Sequence, residues 1–151
     1  MTRWPALLLL LAGHAAAAPL SFDLPRLDAD GSIRLGQFPG QPVVLNFWAS
    51  NCLPCIQELP IFNAHAAGQP TLPIIGIAID TRAAAQAFLR SHPASYPQAL
   101  AAPALLPIFG NQINGLPYTV IVNSEHRICI RRLGPVDAAW LAKAVAACAQ
   151  P

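Results

Sequence analysis

The sequence predicts an α/β fold in which helices flank a central mixed sheet, preceded by an N-terminal extension. Two stretches of strand length, Val43 to Trp48 and Ile74 to Ile79, are nearly unbroken apolar runs, the pattern of parallel strands covered on both faces. Late in the chain, Thr119 to Asn123 and Arg127 to Leu133 are β-rich runs separated only by Ser124, Glu125 and His126, which makes them an antiparallel pair. With 151 residues the chain can build one domain with a sizeable core and not two. Its 54% hydrophobic and 11% charged content excludes a disordered chain. The net charge of +2, which loses the contribution of Arg3 if the N-terminus is cleaved, leaves no electrostatic footprint for nucleic acid.

Residues 1–17 have the make-up of a signal peptide: Arg3 is positive, Ala6 to Ala12 is apolar, and Ala15 to Ala18 are small. A cut after Ala17 is favoured, because a cut after Ala18 would leave Pro19 directly behind it. The apolar segment is too short to span a bilayer comfortably, so export as a monomer is expected, to the periplasm in a Gram-negative source, with an uncleaved N-terminal anchor as the alternative. Residues 18–41 carry Pro25, Gly31, Gly36, Pro39 and Gly40 and read as a loose extension with one hairpin around Asp30-Gly31. The main domain is expected over 42–151.

Within it, Val43 to Trp48 is the central strand, and Ile56, Leu59 and Phe62 are expected to form the inward face of the helix that follows. Arg82 to Ser91 is Ala-rich and suits a crossover helix after the strand Ile74 to Ile79. The four prolines between His92 and Pro107 allow only a short strand and a short helix. A last helix runs from about Val136 to Cys148, with Trp140, Leu141, Ala144, Val145 and Cys148 on one stripe.

The chemistry points to Cys52 and Cys55, which are separated by Leu53 and Pro54 where the central strand gives way to a helix. The unpaired N-H groups and positive dipole end of a helix N-terminus stabilise a thiolate, and thiolate is the nucleophile in disulfide exchange. The second thiol, one turn on, can close on the first. Pro54 costs little in the first helical turn, where its missing donor would be unpaired anyway, whereas Pro60 falls inside the helix and should kink it. A zinc site needs four ligands, and neither Cys129 and Cys148 nor the scattered His65, His92 and His126 supply a second close pair. No cofactor is needed for exchange of this kind. Glu58, one turn after Cys55, could be desolvated against the sheet and so move the proton of the second thiol; a solvated surface glutamate is the plainer alternative.

FWAS ahead of the cysteines, Glu58 and Pro60 after them, and GLPYTVIVNSEHR much later resemble the thioredoxin superfamily, and within it the exported thiol-disulfide oxidoreductases of the TlpA/ResA type. The resemblance spans most of the chain and implies a thioredoxin-like fold with an N-terminal extension. It implies catalytic Cys52, Cys55, Glu58 and Pro117, with Pro117 in the cis form facing the cysteines and Leu116 offering its backbone to a substrate. It also implies oxidised protein thiols as substrates, a membrane electron donor for re-reduction, and cytochrome c biogenesis as one setting. Asn51 stands where the family usually carries Trp, and Asn46, which cannot titrate, stands where cytosolic thioredoxins bury an aspartate. An oxidant of the DsbA kind, or a copper-binding chaperone on the same fold, is the alternative function.

Trp48 reads as packing beside the site. Cys148 points inward on the last helix, and Cys129 sits on a strand that helix could cover, so the two either form a second disulfide or remain buried free thiols.

Overall fold

A computed structural model describes residues 18–149, so the signal peptide expected over 1–17 lies outside the described residues. Five strands form the main sheet: β3 (Val43–Trp48), β4 (Ile74–Ile79), β5 (Gln98–Ala101), β6 (Tyr118–Val122) and β7 (Ile128–Leu133), in the spatial order β5-β4-β3-β6-β7. β3, β4 and β5 run parallel, joined by α1 (Leu53–Gly68) and α2 (Arg82–Ser91), while β6 is antiparallel to β3 and β7 to β6. Both crossovers step the same way along the sheet, so the right-handed rule places α1 and α2 on one face. The final helix, α3 (Ala138–Cys148), capped by the Asp137 side chain, packs on that face too.

The strand and short helix expected between His92 and Pro107 are β5 and a 3-10 helix at Pro103–Phe109. Phe109 and Leu106 of that helix join Leu45, Phe47, Ile75, Ile77, Val120 and Val122 on the face opposite α1. The strands β3 and β6 are buried at every position, which is why they read as apolar runs without alternation.

The N-terminal extension is less loose than its glycines and prolines suggest. Strands β1 (Asp23–Pro25) and β2 (Ser32–Arg34) form the expected hairpin, with Gly31 at φ 89°, a conformation other residues rarely adopt. Leu20 then donates its N-H to His126 O at 2.8 Å, and Leu27 to Gln98 O at 2.8 Å, so the segment is tied both to the β6-β7 turn and to the outer edge of β5. Covering β5 removes one of the two open sheet edges.

The buried stripe of α1 differs from the expected one. Cys55, Glu58 and Phe62 are the buried residues, with Ile56 and Leu59 only half-buried, because the stripe is set by where the sheet lies and not by which neighbours are most apolar. The helix runs through Pro60, which faces solvent.

Cys129 and Cys148 are bonded, with a Cα separation of 5.8 Å. The register explains how. Ile121 pairs with Ile130 and Val122 with Ile128, leaving Cys129 as the extra residue of a β-bulge. A bulge re-aims its side chain, and this one lets an exposed edge-strand residue reach the buried end of α3. The bridge closes a span of 19 residues. Replacing both cysteines by Ser should lower unfolding free energy by about 3 kcal/mol on the chain-entropy estimate, read as a drop in the urea midpoint with the Cys52-Cys55 bond intact; an unchanged midpoint would show that the bridge contributes nothing.

Candidate active site

β3 ends at Trp48, and the chain turns through Ala49 to Asn51 into α1. Asp80, just past β4, accepts the Ser50 N-H at 2.8 Å and the Thr81 N-H at 2.7 Å. Partial burial alone would push its pKa up, but these hydrogen bonds outweigh it and hold the carboxyl below its ordinary value. Asp80 therefore anchors the turn ahead of the cysteines as a stable anion. Sequence reading took it only as the end of a strand; its signal is an acidic residue at the carboxyl end of a parallel strand, where sites in α/β sheets gather.

Cys52 is the N-cap of α1, and Pro54 lies in the first turn as its chemistry requires. The two cysteines form a disulfide with a Cα separation of 5.2 Å, and Cys55 donates its N-H to Cys52 Sγ at 3.3 Å. That hydrogen bond and the helix dipole both fall on the first sulfur. Cys52 is half-buried, whereas Cys55 is only 5% exposed. An incoming group therefore meets Cys52 first.

Glu58 is 1% exposed. Asn46 on β3 donates Nδ2 to its Oε1 at 2.7 Å, and the backbone N-H of Val136, just ahead of α3, donates to Oε2 at 3.1 Å. Burial raises its pKa from 4.5 to about 7, opposed by the Val136 and Asn46 hydrogen bonds and by the charge of Arg132. The desolvated carboxyl expected from sequence is present, and Asn46 is its hydrogen-bond donor and not a bystander.

The Leu116-Pro117 peptide bond is cis, and Pro117 is buried. Leu116 packs in the same cluster as Cys52, Cys55 and Trp48, so the Gly115 to Pro117 loop lies beside the disulfide. The loop is held by a residue that sequence reading missed. Asn111, 4% exposed, donates Nδ2 to Gly115 O at 2.7 Å and accepts the Gly115 N-H at 3.2 Å. An Asn four residues ahead of a Gly-x-Pro turn is a weak signal that only the closed loop makes meaningful. Trp48 packs on Phe88 at 5.0 Å between ring centres, and its Nε1 donates to Gln98 Oε1 at 2.9 Å.

Among the described residues His92 is the exposed histidine; His126 Nε2 lies 2.9 Å from Phe38 O, and His65 Nε2 is buried without a partner. Among the described residues no three His, Cys, Asp or Glu side chains are grouped to hold a metal.

The Glu58 carboxyl ties stability to pH. Between pH 4.5 and about 7 the folded state holds a proton that the unfolded state has released, so stability falls as pH rises through that window and levels off above it. The total change attributable to this group is about 3 kcal/mol. Glu58→Gln should flatten that part of a stability-against-pH curve measured by urea unfolding; an unchanged slope would mean that Glu58 titrates as an ordinary surface carboxyl.

Comparison with known proteins gives the context of this arrangement. Residues 14–131 match the AhpC/TSA family. The thiol:disulfide interchange protein HelX of Rhodobacter capsulatus is 34% identical over 134 residues, covering 83% of this chain and 70% of HelX. The structure of MTB DsbF, in its mixed oxidised and reduced forms, superposes with a TM-score of 0.77 at 25% identity, covering 88% of this chain and all of that one (100%). A thiol:disulfide interchange protein of the thioredoxin family from Chlorobium tepidum shares the fold at a TM-score of 0.74 and 22% identity, covering 87% of this chain and 94% of its own. The chain belongs to the AhpC/TSA family, on a thioredoxin-like fold, and is a thiol-disulfide oxidoreductase.

Proposed function

We propose that residues 1–17 export the protein and that it then reduces disulfides in other exported proteins, c-type cytochromes among them, with a membrane donor restoring its dithiol. The supporting observation is the pairing of a half-buried Cys52 at the helix N-terminus with a buried Cys55 one turn before a carboxyl that titrates near neutrality. Among the described residues no helix is long and apolar enough to cross a membrane.

In the reaction, Cys52 thiolate attacks one sulfur of a substrate disulfide, forming a mixed disulfide and releasing one substrate thiolate, which takes a proton from solvent. Cys55 thiol passes its proton to Glu58 carboxylate and attacks the Cys52 sulfur. The Cys52-Cys55 bond forms and the second substrate thiolate leaves, so two electrons have moved from enzyme to substrate. Glu58 suits the proton step because a base with a pKa near the working pH is available in both forms. The loop at Leu116 and Pro117 would receive an extended substrate segment and set it over Cys52, with Leu116 the apolar contact that tunes substrate choice.

Cys55→Ser should trap mixed disulfides through Cys52, visible as a mass increase that a reductant removes; trapping that appears only in Cys52→Ser would reverse the order of the thiols. Equilibration with glutathione tests the direction of electron flow. A potential nearer the value of about −270 mV for thioredoxin supports a reductant, and one nearer the value of about −120 mV for DsbA would make the protein an oxidant.

A further inference from the structure

The strand register sets a line of polar residues across the whole sheet, at one level, on the face beneath α1 and α3. Arg132 on β7 pairs with Thr119 on β6, Thr119 with Asn46 on β3, Asn46 with Gly76 on β4, and Gly76 with Gln98 on β5. Cross-strand partners share a face, so these side chains form a row. Gly76 has none, and the Gln98 amide occupies its place, since a Cβ there would lie 2.1 Å from Gln98 Oε1. Glu58 reaches into the row from α1 and meets it at Asn46.

Every polar member of the row is accounted for except one. Gln98 is held by Trp48 Nε1 and donates to Tyr96 O at 3.2 Å, Asn46 donates to Glu58, and Arg132 lies over the Trp140 ring at 5.2 Å. Thr119 is fully buried at 0% exposure, and its hydroxyl has no partner. An unpaired buried hydroxyl costs about 1–3 kcal/mol, and valine would fill the same space without that cost. Its place is between the Asn46-Glu58 pair and Arg132, which is half-buried on the open edge strand of the sheet. Glu58, at 1% exposure, has no direct contact with solvent through which to release the proton it takes up in the reaction proposed above.

We propose that Thr119 is a positioning residue whose hydroxyl holds a water that carries the Glu58 proton to and from solvent at the β7 edge beside Arg132. This rests on the reading of Glu58 as the proton acceptor for Cys55. Protonated Glu58 gives its proton to the water, the water gives one of its own protons to the Thr119 oxygen, and the Thr119 hydroxyl proton passes to solvent water at the β7 edge; rotation of the hydroxyl and of the held water then resets the pair. The hydroxyl is neither oxidised nor consumed. The charged or titratable groups that face this point are Arg132 from β7, Cys55 from α1 and Tyr96 from the segment ahead of β5. From the segment just ahead of α3 comes the Val136 N-H, the Asp137 and Lys143 side chains being exposed.

The test measures, on the full mature protein, the single-turnover rate at which a preformed mixed disulfide on Cys52 resolves, as a function of pH. Thr119→Val should slow resolution about tenfold near neutral pH, less than the roughly hundredfold or more expected on losing the acid-base group itself, and move the Glu58 inflection, while KM for the substrate stays as in the parent. Thr119→Ser should restore both. Urea unfolding checks folding, and Thr119→Ala repeats the measurement if the valine variant packs poorly. A parental rate and pH profile in folded Thr119→Val, alongside a slowed Glu58→Gln, would overturn the relay and leave the role of Glu58 standing. If Glu58→Gln resolved at the parental rate, both would fall. A loss in Tyr96→Phe equal to that in Thr119→Val would also overturn the proposal, because Tyr96 Oη is another buried hydroxyl near Glu58.

Discussion

One buried carboxyl organises this molecule. Glu58 receives a hydrogen bond from the central strand through Asn46 and another from the segment just ahead of α3 through Val136 N-H, so it joins three parts of the chain that are far apart in sequence. A charge in such a place is costly, and the two hydrogen bonds with Arg132 offset only part of the cost. The result is an acid whose proton is nearly balanced at neutral pH. The same contacts hold α1 against the sheet, which keeps the disulfide at its N-terminus in a fixed position.

The chemistry of the thiols follows from that placement. Cys52 sits where a helix begins, with the dipole and the Cys55 N-H directed at its sulfur, while Cys55 is already inside the fold. Two identical side chains three residues apart therefore differ in access and in the charge they can carry. The surroundings are arranged to keep that difference: Asp80 anchors the turn before the cysteines, Asn111 closes the Gly115 loop beside them, and Trp48 is fixed by Gln98. The first two are hydrogen bonds to or within otherwise irregular chain, which is what a precise site on loops needs.

The outer disulfide and the N-terminal extension solve a different problem. A five-stranded sheet has two open edges, and only β5 is covered, by Leu27 and its neighbours. On the β7 side the bulge at Cys129 interrupts the ladder and bonds the strand to α3. The last helix, preceded by the residue whose N-H supports Glu58, is thus secured at both ends.

Strand positions, the parallel crossovers, the terminal helix and the Cys52-x-x-Cys55 junction were all readable from the sequence, because each is written in local periodicity, spacing or turn residues. The resemblance added Pro117 and the expectation of its cis bond. What only the tertiary structure decided were relations between residues on different elements. The inward stripe of α1 proved to run through Cys55, Glu58 and Phe62, since the neighbouring sheet, and not the apolar count, chose it. Asn46 became a donor, Asn111 a clamp and Cys129 the unpaired residue of a bulge, and none of these follows from the residues beside them. The polar row from Arg132 to Gln98 is the clearest case: its members are brought level only by strand register, which is set by pairing between residues as far apart in sequence as Asn46 and Thr119. Periodicity reports which way a side chain points along its own strand; which side chain stands next to it across the sheet is a property of the packed fold.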